Sequence, residues 1–141
     1  MVFFILQKDG GKMFKIDSCT KHICLTRGNS CKIDILPILI DDNKNESPII
    51  LKDEDKLIFT IASPSGRKYL QKVLTADDYD ENDESLNLIL FPDDTINLQP
   101  FNYVYDIAIV YDNGSTVTIV DSATFSILQA YGTYQDLEKE G

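Results

Sequence analysis

Apolar side chains take the odd-numbered positions through the last third of the chain. From Phe101 to Tyr111 every odd position is Phe, Tyr or Ile, and the even positions include Asn102, Asp106 and Ala108. Period two over that length suits a half-buried strand and cannot be used by a helix. Asp112-Asn113-Gly114 follows, and the Asn-Gly pair predicts a tight hairpin turn with positive φ at both centres. Ser115 to Val120 and Thr124 to Leu128 then return as further strands, with Val117, Ile119, Phe125 and Ile127 on odd positions. The C-terminal third therefore reads as a β-meander with one apolar face.

The same period recurs upstream. Val2 to Gln7, Met13 to Ile16 and His22 to Leu25 are short apolar pieces, separated by Asp9-Gly10-Gly11 and by polar residues. Cys31, Ile33 and Ile35 share one face, and after Pro37 the apolar positions become even, at Ile38 and Ile40. A proline with a parity change predicts a bulge or an edge position. Leu57, Phe59 and Ile61 form another strand, and Ser63 to Gly66 make a turn into a partner from Arg67 to Leu74. Asp41 to Ser47 and Asp77 to Ser85 are polar loops, and Leu86, Leu88 and Leu90 begin the next strand. Pro92 to Leu98 reads as one helical turn capped by Asp93 or Asp94, whose oxygens can accept from free amides at a helix start.

About seven to nine short antiparallel strands with frequent turns and no long amphipathic helix predict an all-β, Ig-like sandwich. The expected core comprises Ile33, Ile35, Leu57, Phe59, Leu88, Leu90, Tyr103, Tyr105, Ile107, Ile109, Val117, Ile119, Phe125 and Ile127. The chain divides into an N-terminal arm or extra strand (1–12), the sandwich (13–130) and an acidic tail (131–141). At 141 residues it has the length of one domain, able to bury roughly two thirds of its unfolded surface.

A formal net charge of −10 argues against a nucleic-acid partner, since neutralising phosphates needs clustered Lys and Arg, and Arg67, Lys68 and Lys72 are too few. The run Val2 to Leu6 is too short for a membrane span or a signal-peptide core and has no basic residue before it, which disfavours export. Cys19, Cys24 and Cys31 are an odd number in such a chain and are expected as free thiols.

The chemistry-bearing patterns are weak. Cys19, His22, Cys24 and Cys31 have zinc-ligating types without a paired knuckle spacing, and a buried cysteine commonly acts as a small hydrophobe. Asp78, Asp80, Asn82 and Glu84 resemble the opening of a calcium loop, but Asp83 stands where the loop needs Gly and Ile89 where it needs Glu. His22 is the sole histidine and has no glycine-framed serine beside it. Tyr69, Tyr103, Tyr105 and Tyr111 are candidates for sugar or peptide contact, but Tyr103 and Tyr105 alternate with the core set, so packing explains them better. A Tyr near the start of a late strand can also tie down a sandwich corner through its hydroxyl. No catalytic, cofactor or metal residue is assigned. The remaining candidate is an assembly surface at Val2, Phe3, Phe4, Ile5 and Leu6, apolar and followed by a Gly-Gly hinge, with pairing to the chain's own sheet as the alternative.

Several local patterns resemble one family in order. Ile23 to Ser30 (Ile-Cys-Leu-Thr-Arg-Gly-Asn-Ser) is similar to its opening turn, and Asp53 to Thr60 to its second strand. Pro92 to Pro100 is similar to its helical turn, and Tyr103 to Ile107 and Thr124 to Ile127 to its last strands. Over residues 13–130 the chain resembles the N-terminal Ig-like domain of tailed-phage baseplate upper proteins and related tail components. Asn29 and Ser30 replace the family's Asp and Thr, and Phe101 its Gly. The resemblance implies a virion protein, assembled in the host bacterial cytoplasm, that docks an adhesion device through contacts with other phage structural proteins or copies of itself. It implies a structural, non-enzymatic role, and the charge and the lack of a spanning run add the expectation of no nucleic-acid partner and no membrane insertion. Because the chain ends soon after the matching region, it implies a standalone module or a prophage relative. The competing class is a bacterial Ig-like surface or carbohydrate-binding module, which the lack of an export signal disfavours.

Overall fold

A computed structural model describes residues 2–8, 14–16, 21–40, 43 and 45–129, and for 2–8, 14–16, 39 and 40 the backbone alone. Cys19, Met13, the remainder of the 1–12 arm and the tail 131–141 lie outside the described residues. The chain forms β1 (Val2–Lys8), β2 (Phe14–Ile16), β3 (Ile23–Thr26), β4 (Cys31–Ile40), β5 (Glu46–Pro48), β6 (Lys56–Ala62), β7 (Lys68–Leu74), β8 (Tyr79–Asp80), β9 (Ser85–Leu90), β10 (Phe101–Val110) and β11 (Thr116–Leu128). A 3-10 turn at Ala76–Asp78 precedes β8, and the single α-helical turn among the described residues is α1 (Pro92–Thr95).

These strands make two sheets. One runs β1-β4-β9-β8, with β5 also on β4; the other runs β2-β3-β11-β10-β6-β7. Setting aside the short β2, β3 and β5, the orders are A-B-E-D and G-F-C with an added C′ strand, the arrangement of an immunoglobulin sandwich. The expected all-antiparallel pairing needs one correction: β3 joins β11 in parallel, Phe125 opposite Ile23. More strands form than the expected seven to nine, because the short pieces β2, β5 and β8 add to sheet edges.

The core lies between the sheets. Phe59, Tyr105 and Phe125 come from three adjacent strands of the second sheet, with ring centroids 5.5 to 6.1 Å apart and mostly edge to face. Ile33, Ile35, Leu88 and Leu90 face them from the first sheet and are buried. Ile23, Leu25, Leu51, Leu74 and Leu98 complete the cluster from outside the clean alternating runs. Two expected core residues, Val117 and Ile119, are only half-buried, and Val120 is buried instead. Val117, opposite buried Ile109, and Ile119, packed against the core, keep the inward side; Val120 joins them through a pair of register shifts between β10 and β11, where Tyr105 meets Ala123, Ile107 meets Val120 and Ala108 meets Thr118. The two extra residues of β11 turn Val120 inward and together restore the original alternation beyond them, and Ser122 takes positive φ there with its amide held by Asp106.

The hairpin itself also differs from expectation. Only Gly114 has positive φ (89°), Gly114 N donates to Tyr111 O at 2.9 Å and Tyr111 N to Ser115 O at 2.8 Å. That is a three-residue loop with a type I turn and a glycine bulge rather than a two-residue turn. Asp55, buried, braces it by accepting from Asp112 N (3.1 Å) and Lys52 N (2.9 Å).

Pro37 creates neither a bulge nor an edge. β4 continues through it, pairing with β1 over its whole length without a shift. On its other side β4 pairs with β9 up to Ile35 and with β5 from Ile38, so the proline falls in the gap between two partners. Ile38 is buried on the face opposite Ile33 and Ile35, which explains the apparent parity change.

Two motifs of the opening turn and the helical turn meet in space. Gly28 (φ 82°) donates to Thr95 Oγ1 at 2.9 Å, and a Cβ there would lie 2.7 Å from Ile96 Cδ1. As expected, Asp94 caps α1, accepting from Phe91 N at 2.7 Å. Asp94 also pairs with Lys72 of β7 at 2.8 Å, linking the edge of the second sheet to the segment that leaves the first. Truncation of the central ring tests the core assignment: Phe59→Ala should lower stability in urea by about 3–5 kcal/mol. A loss under about 1 kcal/mol would mean that the ring does not sit at the centre of the core.

Candidate functional site

The N-terminal candidate surface, Val2 to Leu6, lies on β1, and its backbone joins the chain's own sheet. Phe4 stands opposite Pro37 and Ile5 opposite Leu36. The phase of its hydrogen bonds follows from Pro37. In a strand, the N–H and C=O of one residue point to the same side. Ile49 N donates to Pro37 O at 2.9 Å, so Pro37 points toward β5 and away from β1. Its opposite residue Phe4 must then point away from β4 as well, and with it Val2, Leu6 and Lys8. Phe3, Ile5 and Gln7 bond to β4. β1 ends the sheet order, so the outward row has no strand partner among the described residues. The side chains of these residues lie outside the described ones.

The cysteine–histidine group separates. Cys31 is in the core under the first sheet, while His22 and Cys24 are on the outer face of the second. Ser126 Oγ donates to Asn102 Oδ1 at 2.7 Å and is hydrogen-bonded to His22 Nε2 at 2.8 Å. Cys24 Sγ lies 3.5 Å from the same atom. The arrangement ties β3, β11 and β10 together. Among the described residues no His, Cys, Asp and Glu cluster is grouped to hold a metal ion.

Two carboxylates of the acidic loop are engaged within the fold. Asp80 accepts from Asn82 N at 2.8 Å and from Asn87 Nδ2 at 3.3 Å, closing a turn around itself. Asp83 bonds Lys32 at 2.6 Å, and that contact holds its carboxyl below the usual range.

The tyrosines divide in two. Tyr105 is fully buried, its hydroxyl donating to Lys21 O, and burial raises its phenol well above the ordinary value. Tyr103, near the start of β10, donates to Gln99 O at 2.8 Å and ties that corner down as expected. Tyr111 packs on the core. Tyr69 is different: it is 40% exposed and meets Tyr103 in an open groove that Phe101, 53% exposed, continues. Sequence reasoning passed over Phe101, because it sits on the core parity of β10; its place at the first residue of the strand was the signal that it overhangs the core. A second pocket, apolar and of about 240 Å³, opens beside Pro37 in the gap between β9 and β5.

No family model and no curated protein matches the chain. Among the described residues no helix is long and apolar enough to cross a membrane.

Burial, with the Asp94 charge adding, pushes the Cys31 thiol up to about 12. Since the thiolate is the reactive form, Cys31 should resist a maleimide at pH 8 in the native protein and react after unfolding without reductant, while half-buried Cys24 reacts first. The native state retains a proton that an unfolded thiol releases near ~8.5, so the contribution of this group to stability is intact below that pH and declines as pH rises toward 12. Peptide mapping by mass spectrometry reads the labelling, and elemental analysis should find no stoichiometric zinc. Rapid native labelling of Cys31, or tight zinc with protected thiols, would contradict this description.

Proposed function

We propose that this chain is a non-enzymatic structural module of a phage or prophage tail or baseplate, which assembles with other protein chains of an adhesion device. The observation that carries the reading is the outward row of β1 amides and carbonyls on an apolar edge strand. Such an edge templates the addition of a strand from another chain. The Ig-like strand order and the ordered sequence resemblance over residues 13–130 support the same class. The outer row also lets both readings of Val2 to Leu6 hold together: one side of β1 completes its own sheet and the other receives a partner.

Two proline variants separate the edges. Phe4→Pro removes an outward amide, which an edge strand tolerates, whereas Ile5→Pro removes a bond to β4. Light scattering should show that Phe4→Pro weakens self-association or assembly with little change in urea stability. Ile5→Pro should lower stability by roughly 1–3 kcal/mol. Equal stability losses from both, with no assembly in the parent protein, would sink the edge reading. Immunogold labelling of induced particles should place the protein at the tail end; purified virions without it would contradict the phage reading.

A further inference from the structure

The aromatic groove lies away from the β1 edge, at the end of the second sheet where the β6–β7 turn approaches the segment leading into β10. Its volume is about 510 Å³, a size that takes a small ligand. Tyr103 is buried at its base, with Tyr69 and Phe101 set edge to face against it, each centroid 5.3 Å away. A break in strand register supplies one of these rings. Ile61 pairs with Leu70 but Ala62 with Lys68, so Tyr69 is the extra residue of a bulge and turns toward Tyr103 instead of following the strand's alternation. Arg67 stacks over Tyr69 with its guanidinium 5.2 Å from the ring centre. Two large aromatic side chains are thus held by neighbours on one side and left open to solvent on the other.

The rest of the lining is uncharged, part apolar at Leu98 and Pro100 and part polar at Ser63 and Ser65, with the exposed amides of Asn97 and Gln99 at the rim. Arg67 is the one charged residue of the lining, in a chain whose net charge is −10. We propose that this groove binds a glycan. The C–H face of a sugar ring is apolar and carries slight positive charge, which suits the negative face of Phe101 or Tyr69. Sugar hydroxyls both donate and accept, as do the amides of Asn97 and Gln99. Arg67 adds preference for an acidic substituent, phosphate or carboxylate, and no carboxylate in the lining opposes it. A proline-rich peptide fits less well, because its carbonyls need a donor at the groove centre and the Tyr103 hydroxyl is already committed to Gln99 O. The inference goes beyond the assembly reading and does not rest on it.

The test is an array of neutral and acidic oligosaccharides, followed by calorimetric titration of soluble forms of those retained. Phe101→Ala and Tyr69→Ala alter exposed side chains and should each weaken binding about tenfold or more, with thermal unfolding checked for both. Arg67→Ala should weaken acidic glycans more than neutral ones. Saturation-transfer NMR from the aromatic ring protons to the oligosaccharide reads the contact in the unsubstituted protein. Failure to bind any oligosaccharide at millimolar concentration, binding that survives both ring deletions, or preference for a proline-rich peptide over every glycan would overturn the proposal.

Discussion

A proline in an interior strand governs how the first sheet is assembled. Pro37 has no amide to give, so no complete ladder can run along that side of β4, and β9 ends there while β5 begins just beyond. Its carbonyl, bonded to Ile49 N at 2.9 Å, fixes the phase of every other residue in the strand. The same phase decides which half of the β1 backbone is used inside the molecule and which half is offered outside it. Pro48 fits the pattern: it stands opposite Ile38, a residue that points toward β1, so its missing amide is not needed for pairing with β4.

The second sheet is governed by packing instead. Phe59, Tyr105 and Phe125 fill the middle of the sandwich, and the tyrosine can be fully buried only because its hydroxyl has the Lys21 carbonyl as acceptor. Around that fixed centre the strands adjust by bulges. The shifts in β11 bring Val120 inward, and the shift opposite Ile61 and Ala62 swings Tyr69 over the groove. Bulges thus set both the composition of the core and the shape of the surface nearest to it.

Much of the fold was legible in the sequence, and the misses have physical causes. Alternation in β6, β9 and β10 placed Phe59, Leu88 and Tyr105 inside because each strand keeps its period throughout the buried stretch. The same reasoning put Val117 and Ile119 on the right face but overstated their burial, and it missed Val120, which the bulges bring inward, since a bulge leaves no mark on composition. Pro37 signals a bulge or an edge, because sequence cannot show that two separate strands share one side of β4. Asn113-Gly114 signalled the hairpin correctly but not its loop length, which Asp55 braces from a distant turn. Ile23, Leu25 and Leu51 escaped the core list because their strands or loops are too short to display a period. Of the candidate surfaces, β1 was visible as an apolar run, whereas the groove depends on a bulge and on the union of β7 with the approach to β10.

The account turns on the two edges of β1. Residue-resolved hydrogen exchange by NMR measures them directly. In dilute protein the amides of Phe3, Ile5 and Gln7 should be protected while those of Phe4, Leu6 and Lys8 exchange quickly, and the second set should gain protection on assembly. Protection of Phe4, Leu6 and Lys8 already in the monomer, or no alternation along the strand, would contradict it.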